Sequence, residues 1–139
     1  MKKIFLAYFF LFLIVGYNVF GQSTAKKQIP IKTEGIEISY KWKHTNFFSK
    51  KSPLMLNVKA KNTNDFSVKL YIKVNYYKSG ILNEESDTII NCIEPFKSIQ
   101  GCKYGMNFSA GSFSNAEINS PDFSFEIIPL EIIKMRSCK

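Results

Sequence analysis

Residues 68–77 read VKLYIKVNYY and carry the clearest secondary-structure signal in the chain. Apolar residues alternate with lysine and other polar residues along them, which is the period of two of a β-strand with one buried face. Most of the side chains are β-branched or aromatic, and these types favour strands. A helix fits this pattern poorly, so the segment predicts a strand that turns one face to the core.

The same alternation recurs on both sides of this strand. It is clear in residues 36–43, IEISYKWK, and in residues 54–61, LMLNVKAK. Shorter strand-like segments follow at residues 81–82, 88–93, 103–109 and 123–135. Pro129 interrupts the last of them and predicts an edge, a bulge or a split there. With no amphipathic helix of ten residues, residues 35–136 are predicted to form an all-β, antiparallel immunoglobulin-like β-sandwich of about seven strands.

Residues 1–21 have the three parts of a secretory signal peptide. Two lysines follow the initiator methionine, residues 4–15 are an unbroken apolar run, and a compact Gly21 suits a signal peptidase. A helix that spans a bilayer needs about twenty apolar residues, and this run is shorter. We therefore expect cleavage before Gln22, with retention as an N-terminal anchor as the alternative. The folded part is then secreted or periplasmic, with no stable membrane span after cleavage, and residues 22–34 form a polar lead-in.

The charge of the mature chain is strongly positive. Without the two lysines of the signal peptide, 17 basic residues remain against 11 acidic ones, a net charge of +6. All but one of these cations are lysines, hydrated point charges that attract anions without the bidentate geometry of arginine. In an exported protein this composition disfavours nucleic acid as a partner. It favours an acidic protein or an anionic glycan.

Lysines and tyrosines at the outward positions of three predicted strands form the candidate binding surface. They are Lys41, Lys43, Lys59, Lys61, Lys69, Tyr71, Lys73 and Tyr77. In an immunoglobulin-like order the first two strands share one sheet and the third lies in the other, which divides the surface. The competing interpretation is that exposed lysines only keep the sheets from aggregating. In that case we expect recognition in loops 44–53 and 94–101, which carry Phe47, Phe48 and Phe96.

The chain has three cysteines, so one intrachain disulfide at most can form. Cys92 and Cys102 lie at opposite ends of a turn-rich segment, and we predict a bridge between them that closes a hairpin. Spacing alone does not fix connectivity. Unpaired, buried thiols are the alternative for this pair, and Cys138, close to the C-terminus, is left to pair with a partner or with either of them.

The candidate chemistry argues against an enzyme and against a metal site. The one histidine, His44, falls in a predicted loop, and such a side chain is far more often solvated than catalytic. Residues 109–112, SAGS, do not have the G-x-S-x-G pattern of a nucleophile elbow, in which glycine stands two positions before the serine. Three cysteines and His44 are too widely spaced for zinc, and the acidic residues 84–87 lack calcium-loop spacing. We therefore predict no catalytic residue, no metal and no cofactor.

Residues 56–63, LNVKAKNT, and residues 68–82 together resemble bacterial exported immunoglobulin-like modules of the FxLYD and CARDB kinds. These modules pair a strand ending in asparagine with a following strand that ends in paired aromatics and a turn. The chain departs from them at residues 78–79, where they have acidic turn residues, and at Phe96, where they have glycine. The resemblance implies a non-catalytic accessory or binding module, and no functional residue is carried over.

These observations predict a non-catalytic exported binding or structural accessory protein of a bacterial cell envelope. A small exported inhibitor or immunity protein that occludes an acidic partner is the first alternative. A carbohydrate-binding module is the second. It requires a flat row of exposed aromatic rings, for which Tyr71, Tyr77, Phe47 and Phe48 are the candidates.

Overall fold

The computed structural model describes residues 30–139, so the predicted signal peptide and residues 22–29 of the lead-in lie outside the described residues. Within that range the chain forms nine strands, one short helix and one 3-10 turn. The elements are β1 Ile31–Thr33, β2 Ile36–His44, β3 Leu54–Asn62, β4 Ser67–Lys78, β5 Ile81–Glu85, β6 Ile89–Ile93, β7 Ser98–Gln100, the 3-10 turn Cys102–Tyr104, β8 Asn107–Ser109, α1 Asn115–Ile118 and β9 Phe123–Met135. No helix in this part of the chain has the length and apolarity to cross a membrane. The all-β prediction is confirmed.

Sheet A is built on the β2–β3 hairpin. Its register runs from the pair Ile36 and Asn62 to the pair His44 and Leu54. β7 and β8 both pair with the other edge of β3, one after the other. β1 pairs with the start of β2. The end of the predicted lead-in therefore belongs to the sheet. The sequence did not predict this strand, because three residues are too few to show an alternating pattern.

Sheet B is built on β4, which contains the VKLYIKVNYY segment. β9 pairs along one side of β4 for its whole length, and β5 and β6 follow one another along the other side. The register of β9 shifts opposite Tyr71 and Ile72, so Leu130, next to Pro129, has no partner in β4. β9 is thus an edge strand with a bulge at its proline, as Pro129 predicted.

The core lies between the facing sides of the two sheets. Alternate residues of β2, β3 and β4 are completely buried, as the period-two pattern predicted. They are Ile36, Ile38, Leu56, Val58, Ala60, Val68, Leu70, Ile72, Val74 and Tyr76. Tyr40 and Trp42 of sheet A meet Phe123 and Phe125 of sheet B edge to face. Aromatic pairs of this geometry add to the burial energy, so the two sheets pack as a β-sandwich-like pair of layers.

The disulfide joins Cys92 to Cys138, with a Cα–Cα distance of 5.4 Å, and Cys102 is free and exposed. The predicted Cys92–Cys102 bridge is therefore wrong. β6 belongs to sheet B and β7 to sheet A, so the segment between them crosses from one sheet to the other and forms no hairpin. Cys102 lies in the 3-10 turn that follows β7 of sheet A, whereas Cys92 lies in β6 of sheet B.

Candidate functional site

Four of the predicted site lysines lie together on the outer side of sheet A. Lys41 and Lys43 occupy alternate positions of β2, and Lys59 and Lys61 do the same in β3. All four are exposed, while the residues between them are buried or half-buried. The antiparallel register brings the two strands side by side, with Ser39 opposite Lys59. We call these four lysines the lysine face.

The lysine face has almost no opposing negative charge. The described residues contain three ion pairs, and none of them includes a lysine of this face. They are Lys32–Glu37, Lys73–Glu85 and Lys78–Glu117. Glu37 lies opposite Lys61. Its pKa is lowered mainly by the hydrogen bond and the charge of Lys32, and the charge of Lys61 is the smallest of the causes. The positive charges of Lys41, Lys43 and Lys59 are therefore left open to a ligand.

A shallow groove of ≈ 220 Å³ separates Lys41 from Lys59. It is lined by Ser39, Tyr40, Lys41, Asn57, Lys59 and Gln100. Two cations thus face a floor of amide and hydroxyl groups, which donate and accept hydrogen bonds. This combination suits a ligand that carries both negative charge and hydroxyl groups.

The amides at the groove are held in a row. Gln100 Nε2 donates to Asn57 Oδ1 (2.6 Å), Asn57 Nδ2 donates to Asn107 Oδ1, and Asn107 Nδ2 donates to the Cys102 thiol (2.7 Å). Asn57 is only 5% exposed, and its partners fix the direction of its amide. The row joins β3 to the short strands β7 and β8. Sequence analysis missed it, because Gln100 and Asn107 lie 43 and 50 residues from Asn57.

The remaining predicted site residues lie on the outer side of sheet B, where local contacts engage them. Lys73 pairs with Glu85 at 2.8 Å, and the Tyr77 hydroxyl donates to Glu126 at 3.1 Å. The Lys69 ammonium lies 5.3 Å from the ring centre of Tyr71. Sequence reasoning separated the two groups correctly, since the two sheets divide them. Of the predicted site lysines on this sheet, Lys73 is paired with a carboxylate and Lys69 has only the ring contact.

The four candidate rings for a flat sugar platform are also separated. Tyr71 and Tyr77 belong to β4 on sheet B, whereas Phe47 and Phe48 lie in the loop that joins β2 to β3. Phe96 lies in another loop, between β6 and β7. These rings do not form one row, so stacking on a flat aromatic platform is not the chemistry of this surface.

His44 has a structural contact in the described part of the chain. Its Nδ1 donates to the carbonyl oxygen of Ser52 at 2.8 Å, which ties the end of β2 to the following loop. Between residues 30 and 139, no group of three or more histidine, cysteine, aspartate or glutamate side chains is placed to hold a metal ion.

No protein-family model, curated protein or solved structure matches this chain.

Proposed function

We propose that this chain is an exported, non-catalytic binding module of a bacterial cell envelope, and that its lysine face holds an anionic partner, foremost an acidic glycan. The observation that carries the proposal is the groove between Lys41 and Lys59, where two unopposed cations flank a fixed row of amides. Carboxylates of a glycan meet the ammonium groups, and its hydroxyls bond to the amides.

The chemistry of the face favours a glycan over an acidic protein. Protein interfaces have an apolar core that excludes water. Among the outward residues of β2 and β3, only Met55 is large and apolar, and the others are charged or polar. A polar, solvated groove of this kind suits the hydroxyl-rich surface of a polysaccharide.

The order of the strands supports an immunoglobulin-like fold for the module. In that fold, strands A, B and E share one sheet, and strands C and F lie in the other. β2, β3 and the β7–β8 pair can be assigned to A, B and E, and β4 and β9 to C and F. Strands D and G have no counterpart in the described part of the chain, where β5 and β6 lie beside β4 in sheet B instead. Domains of this architecture commonly serve as binding modules, and the signal-peptide pattern of residues 1–21 supports export.

Binding of polygalacturonate tests the proposal, with its fully methyl-esterified form as an uncharged control. We expect the wild-type chain to bind the acid form and to lose affinity as salt rises, because exposed charges are screened. K41Q/K59Q should weaken binding about threefold to tenfold, the effect of two exposed charge contacts. K97Q/K134Q removes the same charge elsewhere and should bind as the wild type does. Equal affinity of the two double variants, or equal binding of both polymers, would contradict the proposal.

A further inference from the structure

Two adjacent phenylalanines project into solvent from the loop between β2 and β3. Phe47 is 91% exposed and Phe48 is 94% exposed, the two largest values among the exposed bulky apolar residues between positions 30 and 139. Their ring centres are 5.5 Å apart, and the rings meet edge to face at 88°. Exposed apolar groups of this kind commonly mark a contact surface. We call Phe47 and Phe48 the aromatic tip.

Hydrogen bonds within the loop hold the aromatic tip outward. The backbone N–H of Phe48 donates to Asn46 Oδ1 at 3.0 Å, and the N–H of Asn46 donates to Ser52 Oγ at 3.0 Å. The Ser52 hydroxyl donates to the carbonyl of Ser49 at 2.7 Å. The side chains of Asn46 and Ser52 are thus bonded within the loop, and the two rings are left on its outer side.

Helix α1 connects this loop to the body of the protein. Asn115 Oδ1 accepts from the N–H of Leu54 at 2.8 Å, and its Nδ2 donates to the carbonyl of Ser52 at 2.9 Å. Two residues further on, Glu117 pairs with Lys78 at the end of β4. The aromatic tip is therefore braced against both sheets, and a contact made through it positions the whole domain.

The hairpin that carries the aromatic tip is uniformly cationic. Residues 38–62 contain six lysines and no aspartate or glutamate. Lys43, Lys50 and Lys51 are exposed and lie closest to the tip in the sequence. An exposed apolar end flanked by lysines is the pattern of segments that lie at the surface of an anionic bilayer.

We propose that the aromatic tip docks on a lipid bilayer that contains anionic lipid, with both rings in the interfacial region and Lys43, Lys50 and Lys51 at the headgroups. A bilayer is planar and deformable, so it accepts a projecting tip without a matching pocket. The edge-to-face rings offer no common flat side to a sugar. A specific protein interface buries about 800 Å² on each partner, and two side chains supply only a small part of that area. A protein partner is therefore disfavoured.

This membrane contact goes beyond the proposed function and does not depend on it. Lys43, near the end of β2, is the one residue that the lysine face and the docking contact share; the groove is lined by Lys41 and Lys59, whereas the tip lies in the loop at the end of the hairpin. One short apolar contact gives weak, reversible binding, so the lysines and the rings are both needed. The domain would then lie at the membrane surface with its glycan groove still open.

Co-sedimentation of the full chain with vesicles tests the docking. Vesicles of phosphatidylcholine with about 30% phosphatidylglycerol are compared with phosphatidylcholine alone, the mixture supplying the anionic surface potential. F47S/F48S should bind the anionic vesicles at least tenfold more weakly. K50Q/K51Q should bind them about 30-fold more weakly, about fivefold per lysine. I90S/F96S removes two exposed apolar side chains elsewhere and should bind as the wild type does. Equal binding by F47S/F48S and I90S/F96S would overturn the proposal.

A second readout shows which part of the chain contacts the lipid. It is needed because the apolar residues 4–15, if they are retained, would bind vesicles by themselves. Tryptophan is introduced as F48W or as F96W, with Trp42 common to both. Brominated lipid should quench the F48W chain and leave the F96W chain at the level of the wild type. Equal quenching of the two would overturn the proposal. K41Q/K59Q should keep vesicle binding, so the docking and the glycan proposal can fail separately.

Discussion

Cys138 is bonded to Cys92 across the start of β4. β6, which contains Cys92, pairs with one side of that strand, and β9 pairs with the other side and ends at Met135 opposite Ser67. The tail after β9 therefore turns back over the sheet to reach β6. The disulfide ties both neighbours of β4 together and keeps the strand between them.

Removal of this disulfide should lower stability. The bond closes a loop with a sequence separation of 46, and it restricts the unfolded chain over that length. We expect C138S to lose about 2–4 kcal/mol in denaturant unfolding, and C102S, which removes the free thiol, to lose far less. Non-reducing peptide mapping should link Cys92 to Cys138. A linked peptide that contains Cys102 would contradict the pairing.

Glu117 should contribute to stability in a pH-dependent way. The hydrogen bond from Lys78, followed by those from Ser114, lowers its pKa to about 2 from an ordinary value of 4.5. A lowered carboxyl pKa stabilises the fold above pH 4.5, and this contribution is lost as the pH falls from 4.5 towards 2. We expect E117Q to flatten the fall in melting temperature over that interval. The K78Q variant, which removes the main hydrogen-bond donor to Glu117, should flatten the same interval.

Tyr76 should be replaceable by phenylalanine with a gain in stability. Its side chain is completely buried, and its hydroxyl has no hydrogen-bond partner among residues 30–139. An unpaired buried hydroxyl costs about 1–3 kcal/mol, so Y76F should raise the free energy of unfolding by about 1 kcal/mol. Y77F removes a hydroxyl that donates to Glu126 at the surface and should change stability by less than about 0.5 kcal/mol. Destabilisation by Y76F would show that its hydroxyl has a partner, such as buried water.

Processing at the N-terminus should leave a chain that begins at Gln22. The prediction follows from the charged start, the apolar run and the compact residue in residues 1–21. The intact mass of the exported protein measures it directly. Recovery of the full-length chain in the membrane fraction would favour the uncleaved anchor instead.

The strands were predictable where the alternating pattern is long and one face is buried. β4 satisfies this condition over its whole length, so its buried residues follow from the sequence. β1 has three residues and pairs with β2 through backbone hydrogen bonds, which leave no mark on the pattern of side chains. The disulfide was mispredicted because its pairing depends on which sheet each strand joins. That choice is made by contacts between distant segments.

The candidate site was predictable where it lies on long alternating strands and unpredictable where it lies on short ones. Alternation puts Lys41 and Lys59 on outward positions, and the structure brings them to one face. The amide row from Gln100 to Asn107 depends on two short strands that meet the same edge of β3. Neither strand is long enough to reveal its register, so the floor of the groove could not be inferred from the sequence.

The bulge in β9 also bears on how copies of this protein behave toward one another. β9 is 13 residues long, and among the described residues its outer edge has no strand beside it. An open edge of that length invites a second molecule to add a strand and begin a fibre. Pro129 offers no N–H at mid-strand, and the bulge at Leu130 breaks the spacing of the neighbouring groups. The proline and the bulge therefore disfavour continuous edge-to-edge pairing of copies along β9.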